Sequence, residues 1–150
     1  MGDILLVTSS GGVLLDLLAL RPWWEKHDRR WVAVAAMDTE ALLADESVEW
    51  TDELEPGQWR LLLTATVASG RLLQRSRPDV VISAGTGVAL PWFLAARALG
   101  ISRLWLETLN LVGEPGRAAR SCARLATRTL VQKPALVRTR RRAVLLGELY

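Results

Sequence analysis

The chain has 150 residues, 50% of them hydrophobic and 23% charged, with a formal charge of +3 and one cysteine. That length suits one well-buried domain rather than two, and the balance excludes a disordered or low-complexity chain. Lone Cys122 excludes an internal disulfide and fits a reducing compartment, and no apolar run approaches the ~20 residues of a spanning helix.

The first strand is predicted from Asp3 to Thr8, close behind Met1 and Gly2, which leaves no room for a signal peptide and points to a soluble or peripheral protein. Its apolar run Ile4-Leu5-Leu6-Val7 breaks into Ser9-Ser10-Gly11-Gly12 and then into a helix from about Gly12 to Lys26, with Leu14, Leu17, Leu18 and Trp24 facing inward. Arg30 to Ala35 reads as a second strand, Thr39 to Ala44 as a short helix, and Ser47 to Trp50 as a weak third strand. Pro56-Gly57 opens a long helix to about Ser76. After Arg77-Pro78-Asp79 comes the most hydrophobic strand, Val80 to Ser83, then Ala84-Gly85-Thr86-Gly87 and a helix over Val88 to Leu99, closed by Gly100 in a left-handed C-cap. Ile101 to Glu107 is a strand, Gly116 to Ala126 a helix, and Thr127 to Gln132 and Ala143 to Gly147 are the last strands. Asn110 to Gly116 is an exposed loop. Strands alternating with helices predict right-handed crossovers and an α/β, Rossmann-like, doubly wound, mostly parallel sheet covered on both faces.

Two junctions of strand, glycine turn and helix predict one ligand crevice at the carboxyl edge of the sheet, lined by Ser9, Ser10, Gly11, Gly12, Gly85, Thr86 and Gly87. Backbone amides and a helix dipole there suit an anion or a sugar hydroxyl. Glu107 ends a strand on the same edge, as a ligand contact or as a cap for nearby amides, and is the weak candidate for a catalytic carboxylate. Asp16, one turn into the first helix, complements its dipole. The dinucleotide fingerprint and the Walker A loop are absent, although Asp38 sits near the place of a ribose-binding acid. No Cys/His cluster implies a metal, no cofactor is expected, and His27 reads as a solvated helix end.

Charge is uneven along the chain. Asp38 to Glu55 holds eight acidic residues and no basic one, whereas from Ile101 onward ten basic residues face three acidic. Arg117, Arg120, Arg124 and Arg128 follow a helical stripe if the helix reaches that far, and Arg138, Arg140, Arg141 and Arg142 come after. Arginines without interleaved aromatics suit phosphates or an anionic membrane surface, not nucleic acid; a solvated basic face is the other reading. Trp23-Trp24 beside Arg21 and Lys26 fits either a lipid interface or packing, with packing expected for at least one of them.

The start Ile-Leu-Leu-Val-Thr-Ser-Ser-Gly-Gly, the phrase from Arg77 to Pro91, Trp105-Leu106-Glu107, Leu130-Val131-Gln132 and Leu145-Leu146-Gly147, in that order, resemble the acceptor-side subunit of two-subunit UDP-sugar glycosyltransferases. That family includes the membrane-recruiting subunit of the dolichol-linked oligosaccharide N-acetylglucosaminyltransferase and bacterial exopolysaccharide-biosynthesis relatives. The resemblance implies the N-terminal half of a GT-B fold, with a separate donor-binding subunit completing the enzyme. It also implies a polyprenyl diphosphate-linked sugar acceptor and a place at the cytoplasmic face of the membrane. Two positions depart from the pattern: Val13 stands where the family has a histidine after Gly-Gly, and Leu111 lies near an expected arginine. A degenerate, non-catalytic scaffold is the alternative, and an independent nucleotide- or phosphosugar-binding protein a third reading.

Overall fold

The computed structural model describes residues 2–54, 57–84, 87–107, 117–132, 137–138 and 142–145. Seven parallel strands form one sheet: β1 (Asp3–Thr8), β2 (Asp28–Val34), β3 (Val48–Thr51), β4 (Val80–Ser83), β5 (Ser102–Leu106), β6 (Arg128–Val131) and β7 (Ala143–Leu145). Their order is β3-β2-β1-β4-β5-β6-β7, so the chain winds outward from β1 in one direction, returns to β4 and winds outward in the other. The register sets Ile4 beside Val80 and Val7 beside Ser83. The helices are α1 (Gly12–Ala19), α2 (Arg21–Trp24), α3 (Met37–Leu42), α4 (Trp59–Ser76), α5 (Ala89–Ala98) and α6 (Arg117–Leu125).

Alternation along β1 explains the two layers. Leu5 and Val7 face one side, with Leu73 of α4, Phe93 of α5 and Cys122 of α6. Ile4 and Leu6 face the other, with Leu14 and Leu17 of α1, Trp24 and Trp31. Both sets are removed from water, the pattern of a parallel sheet covered on each face.

The single helix expected from Gly12 to Lys26 is two. Pro22 has no N–H for the carbonyl four residues back, so α1 stops, and Trp23 and Trp24 both donate to Leu20 O to start α2. The break turns Trp24 inward, where its indole N–H donates to Leu17 O at 2.8 Å and its ring meets Trp31 edge-on at 5.6 Å. Trp23 stays 40% exposed, so packing claims one of the pair. Helix α3 begins two residues earlier than expected, because the Thr39 hydroxyl accepts from the Ala36 amide at 2.9 Å and donates to Val34 O. Gly100 adopts φ +71, and Ile101 N donates to Ala96 O across it, closing α5 as its position predicted. Pro56, expected at the start of α4, lies outside the described residues, and that helix begins at Trp59.

Candidate functional site

The reversal of strand order places the ends of β1 and β4 side by side, which is where an open parallel sheet leaves a crevice between diverging loops. Ser10, Gly11 and Gly12 of the first predicted glycine junction follow β1 there, and Gly87 of the second follows β4. Ser83 Oγ donates to Val7 O at 2.7 Å and ties the two strand ends together beneath the crevice.

On the β1 side, Ser9 is buried while Ser10, Gly11 and Gly12 are exposed. Gly11 adopts φ +82, a backbone that side chains disfavour, and its carbonyl receives Leu14 N and Leu15 N of α1. Its amide is already engaged: Asp38 Oδ2 accepts from Gly11 N at 2.7 Å, and Oδ1 of the same carboxylate accepts from Thr39 N at 2.9 Å. An acidic residue from the first turn of α3 therefore reaches the first glycine loop. An anion at Gly11 would meet that carboxylate, whereas a sugar hydroxyl would donate to it.

On the β4 side, Gly85 and Thr86 lie outside the described residues. Gly87 is a glycine for a local reason, because a Cβ there would stand 2.7 Å from the Leu54 carbonyl oxygen. The segment leading to α4 thus presses on the second glycine loop. Glu107 directly follows β5 on the same edge, half-buried, with its amide donating to Leu130 O at 2.9 Å.

Asp16 lies one turn into α1 and is fully buried. Two expectations are corrected. His27 is not a solvated helix end: it is half-buried, its Nδ1 accepts from Gly2 N at 3.2 Å, and its ring lies 5.4 Å from Trp23. The arginine stripe does not reach Arg128, because α6 ends at Leu125 and Arg128 opens β6. Arg117, Arg120 and Arg124 are exposed on α6, as are Arg138 and Arg142; Arg140 and Arg141 lie outside the described residues.

Val13 is half-buried and packs against the cluster of Leu14, Leu17 and Ile82, so the position of the missing histidine is part of the hydrophobic layer. Leu111 lies outside the described residues. Arg103, which the sequence did not single out, bonds its guanidinium to Leu125 O and Ile101 O, each at 2.6 Å. Burial, followed by the neighbouring Arg97 and Arg142, pushes its pKa down. Among the described residues no cluster of His, Cys, Asp and Glu is arranged to hold a metal ion, and no helix is long and apolar enough to cross a membrane.

No protein-family profile matches the chain. Over 78 residues it is 38% identical to the UDP-N-acetylglucosamine--N-acetylmuramyl-(pentapeptide) pyrophosphoryl-undecaprenol N-acetylglucosamine transferase of Parasynechococcus marenigrum (strain WH8102), a match covering 52% of this chain and 21% of that protein. MurG of Acinetobacter baumannii superposes with a TM-score of 0.75 at 21% identity, over 97% of this chain and 45% of that one. The S. aureus MnaA–UDP structure does so with a TM-score of 0.75 at 12% identity, over 99% and 46%. The chain spans about half the length of these solved proteins. It is thus similar in sequence to a MurG-like glycosyltransferase and has the Rossmann-like fold of the N-terminal half of GT-B proteins.

Proposed function

We propose that the chain is the acceptor-binding half of a GT-B glycosyltransferase that moves a sugar from a UDP-sugar to a polyprenyl diphosphate-linked acceptor. The observation that carries this reading is the 38% identity, over 78 residues, to an enzyme whose name specifies an undecaprenol-linked acceptor. A donor half supplied by a separate subunit belongs to the same proposal. The paired glycine loops at the switch point, with Asp38 and Glu107 on the same edge, suit sugar hydroxyls: carboxylates accept what hydroxyls donate. Glu107 is the group proposed to take the proton from the acceptor hydroxyl as that oxygen bonds the donor sugar and UDP departs. A role in exopolysaccharide synthesis at the inner face of the cell membrane, as a heterodimer, belongs to the same proposal.

The packing of half-buried Val13 against the hydrophobic layer favours a second reading, a non-catalytic scaffold that keeps the subunit interface. Purifying the chain with a candidate donor-half partner, then supplying UDP-sugar and lipid-linked acceptor, separates the two. Transfer that needs both proteins supports the enzyme half. A stable complex that transfers nothing supports the scaffold, and absence of a complex removes both.

A further inference from the structure

Helices α5 and α6 both run back to the amino edge of the sheet, opposite the crevice, and end beside the starts of β5 and β6. Arginines gather there. Arg97 lies in the last turn of α5, Arg103 is the second residue of β5, Arg128 opens β6, and Arg142 directly precedes β7. The register sets Leu104 beside Arg128 and Thr129 beside Ala143, so the three strand starts are neighbours.

Arg103 is half-buried and fixed in place. Its Nε donates to Leu125 O at the end of α6, and one of its terminal nitrogens donates to Ile101 O just past α5, so both bonds go to neutral carbonyls. The charges that act on it are Arg97 and Arg142, both exposed and both of its own sign. Among the described residues no salt bridge takes in any of these arginines. Asp79, just before β4 on the same edge, accepts from the Asp3 amide at 2.8 Å.

The helix ends account for part of this charge. A helix C-terminus carries about half a negative charge, so two of them offset about one of the three guanidinium charges of Arg97, Arg103 and Arg142. About two positive charges are left over, repelling one another where burial already disfavours the charged form of Arg103. Arg142 also holds φ +56, a left-handed backbone of the kind that clusters at ligand-holding positions. Planar forks of N–H donors with that excess match an oxyanion of charge about −2. Peptide carboxylates bring one charge each on separate side chains, whereas a phosphate brings about two on one group with three acceptor oxygens.

We infer that Arg97, Arg103 and Arg142 form a binding site for a soluble phosphate dianion, a phosphate monoester or free phosphate, at the amino edge of the sheet. At about 3.3 Å per residue, β5 holds Arg103 roughly 13 Å from Glu107, so the site is separate from the crevice and stands whether or not the acceptor reading does.

The test is binding of glycerol 3-phosphate to the full chain by isothermal titration calorimetry, in chloride buffer at constant ionic strength. Saturable binding at one site, with a raised melting temperature, is the expected result. Arg97→Gln with Arg142→Gln weakens it about a hundredfold, counting about tenfold for each charge-assisted hydrogen bond lost, and circular dichroism stays unchanged because both side chains are exposed. Arg71→Gln with Arg75→Gln removes the same charge from exposed positions on α4 and leaves the affinity as it was. No binding by the wild type or undiminished binding by the Arg97/Arg142 variant overturns the inference. Equal loss in the α4 variant does so too, because it marks attraction by net charge alone. Vesicles of phosphatidylcholine mixed with phosphatidic acid separate a lipid source of the same chemistry: binding to them without binding of glycerol 3-phosphate also overturns it.

Discussion

The Asp38 carboxylate receives the Gly11 amide at 2.7 Å across 27 residues of sequence, fastening the first turn of α3 to the loop that follows β1. The same side chain holds Thr39 N, so one carboxylate closes the β1–α1 turn and the start of α3 together.

Removing that carboxylate frees two backbone amides. Asp38→Ala is expected to lower stability by about 1–2 kcal/mol, the usual worth of a lost cap, read as a shift in the urea midpoint at constant slope. Asp38→Asn, which keeps an acceptor oxygen, should recover part of it. In the proposed enzyme Asp38→Ala also weakens acceptor binding, and an unchanged affinity would place the acceptor away from the first glycine loop.

Gly87 answers to packing before ligand. A Cβ at Gly87 stands 2.7 Å from the Leu54 carbonyl oxygen, so Gly87→Ala forces the β3–α4 connection to move. The expected cost is about 1–3 kcal/mol in a thermal melt. Gly11→Ala meets no atom within 4 Å but must hold φ +82 with ψ −141, a conformation nearly confined to glycine, which costs about 1–3 kcal/mol. Gly11 is therefore the better position at which to test obstruction of the crevice. Equal loss of acceptor binding in both variants, tracking stability alone, would remove the glycine loops from the site.

Val13→His places an imidazole at the first glycine junction. If the missing group is a general base, transfer by the reconstituted pair rises ~100- to 10,000-fold, with some stability lost because Val13 packs against the hydrophobic layer. No gain in the initial rate would assign the proton to another group, with Glu107 tested next as glutamine.

Cys122 is fully buried, and desolvation pushes its thiol up to about 12. The native thiol is therefore neutral at pH 8 and should resist thiol-specific reagents until the chain unfolds. The sign of the pH effect follows. Above the ordinary value of 9.0 the unfolded chain releases this proton while the folded chain keeps it, so the contribution to stability is whole below 9 and falls between about 9 and about 12. Cys122→Ala should flatten that limb of a stability-against-pH curve.

Strands β1 and β4 were legible to the residue because runs of four and three apolar residues ended in serine and glycine. The turn at Gly100 was legible for a related reason, since a lone glycine after a helical run has little other use. Pro22 divides the run expected as one helix, since it lacks the N–H that would continue α1. What the sequence did not disclose depended on contacts across the fold. Asp38 meets Gly11 only once β1 and β2 pair, and Gly87 meets Leu54 only once α4 is in place. For α4 the sequence indicated a long helix, and only the packing on α5 shows which side of it remains outside.

The bond from Ser83 to Val7 joins residues 76 positions apart, and it lies on the seam where β1 meets β4. Every strand on the β3 side of that seam is made before β4 in the chain, so the floor of the crevice is a long-range closure whose loop entropy must be met before its contacts form. The crevice floor is therefore complete only once β4 pairs with β1. A fragment ending before Val80 lacks the β4 side of the crevice, and slow exchange at the Ser83 and Val7 amides would mark the arrival of the whole sheet.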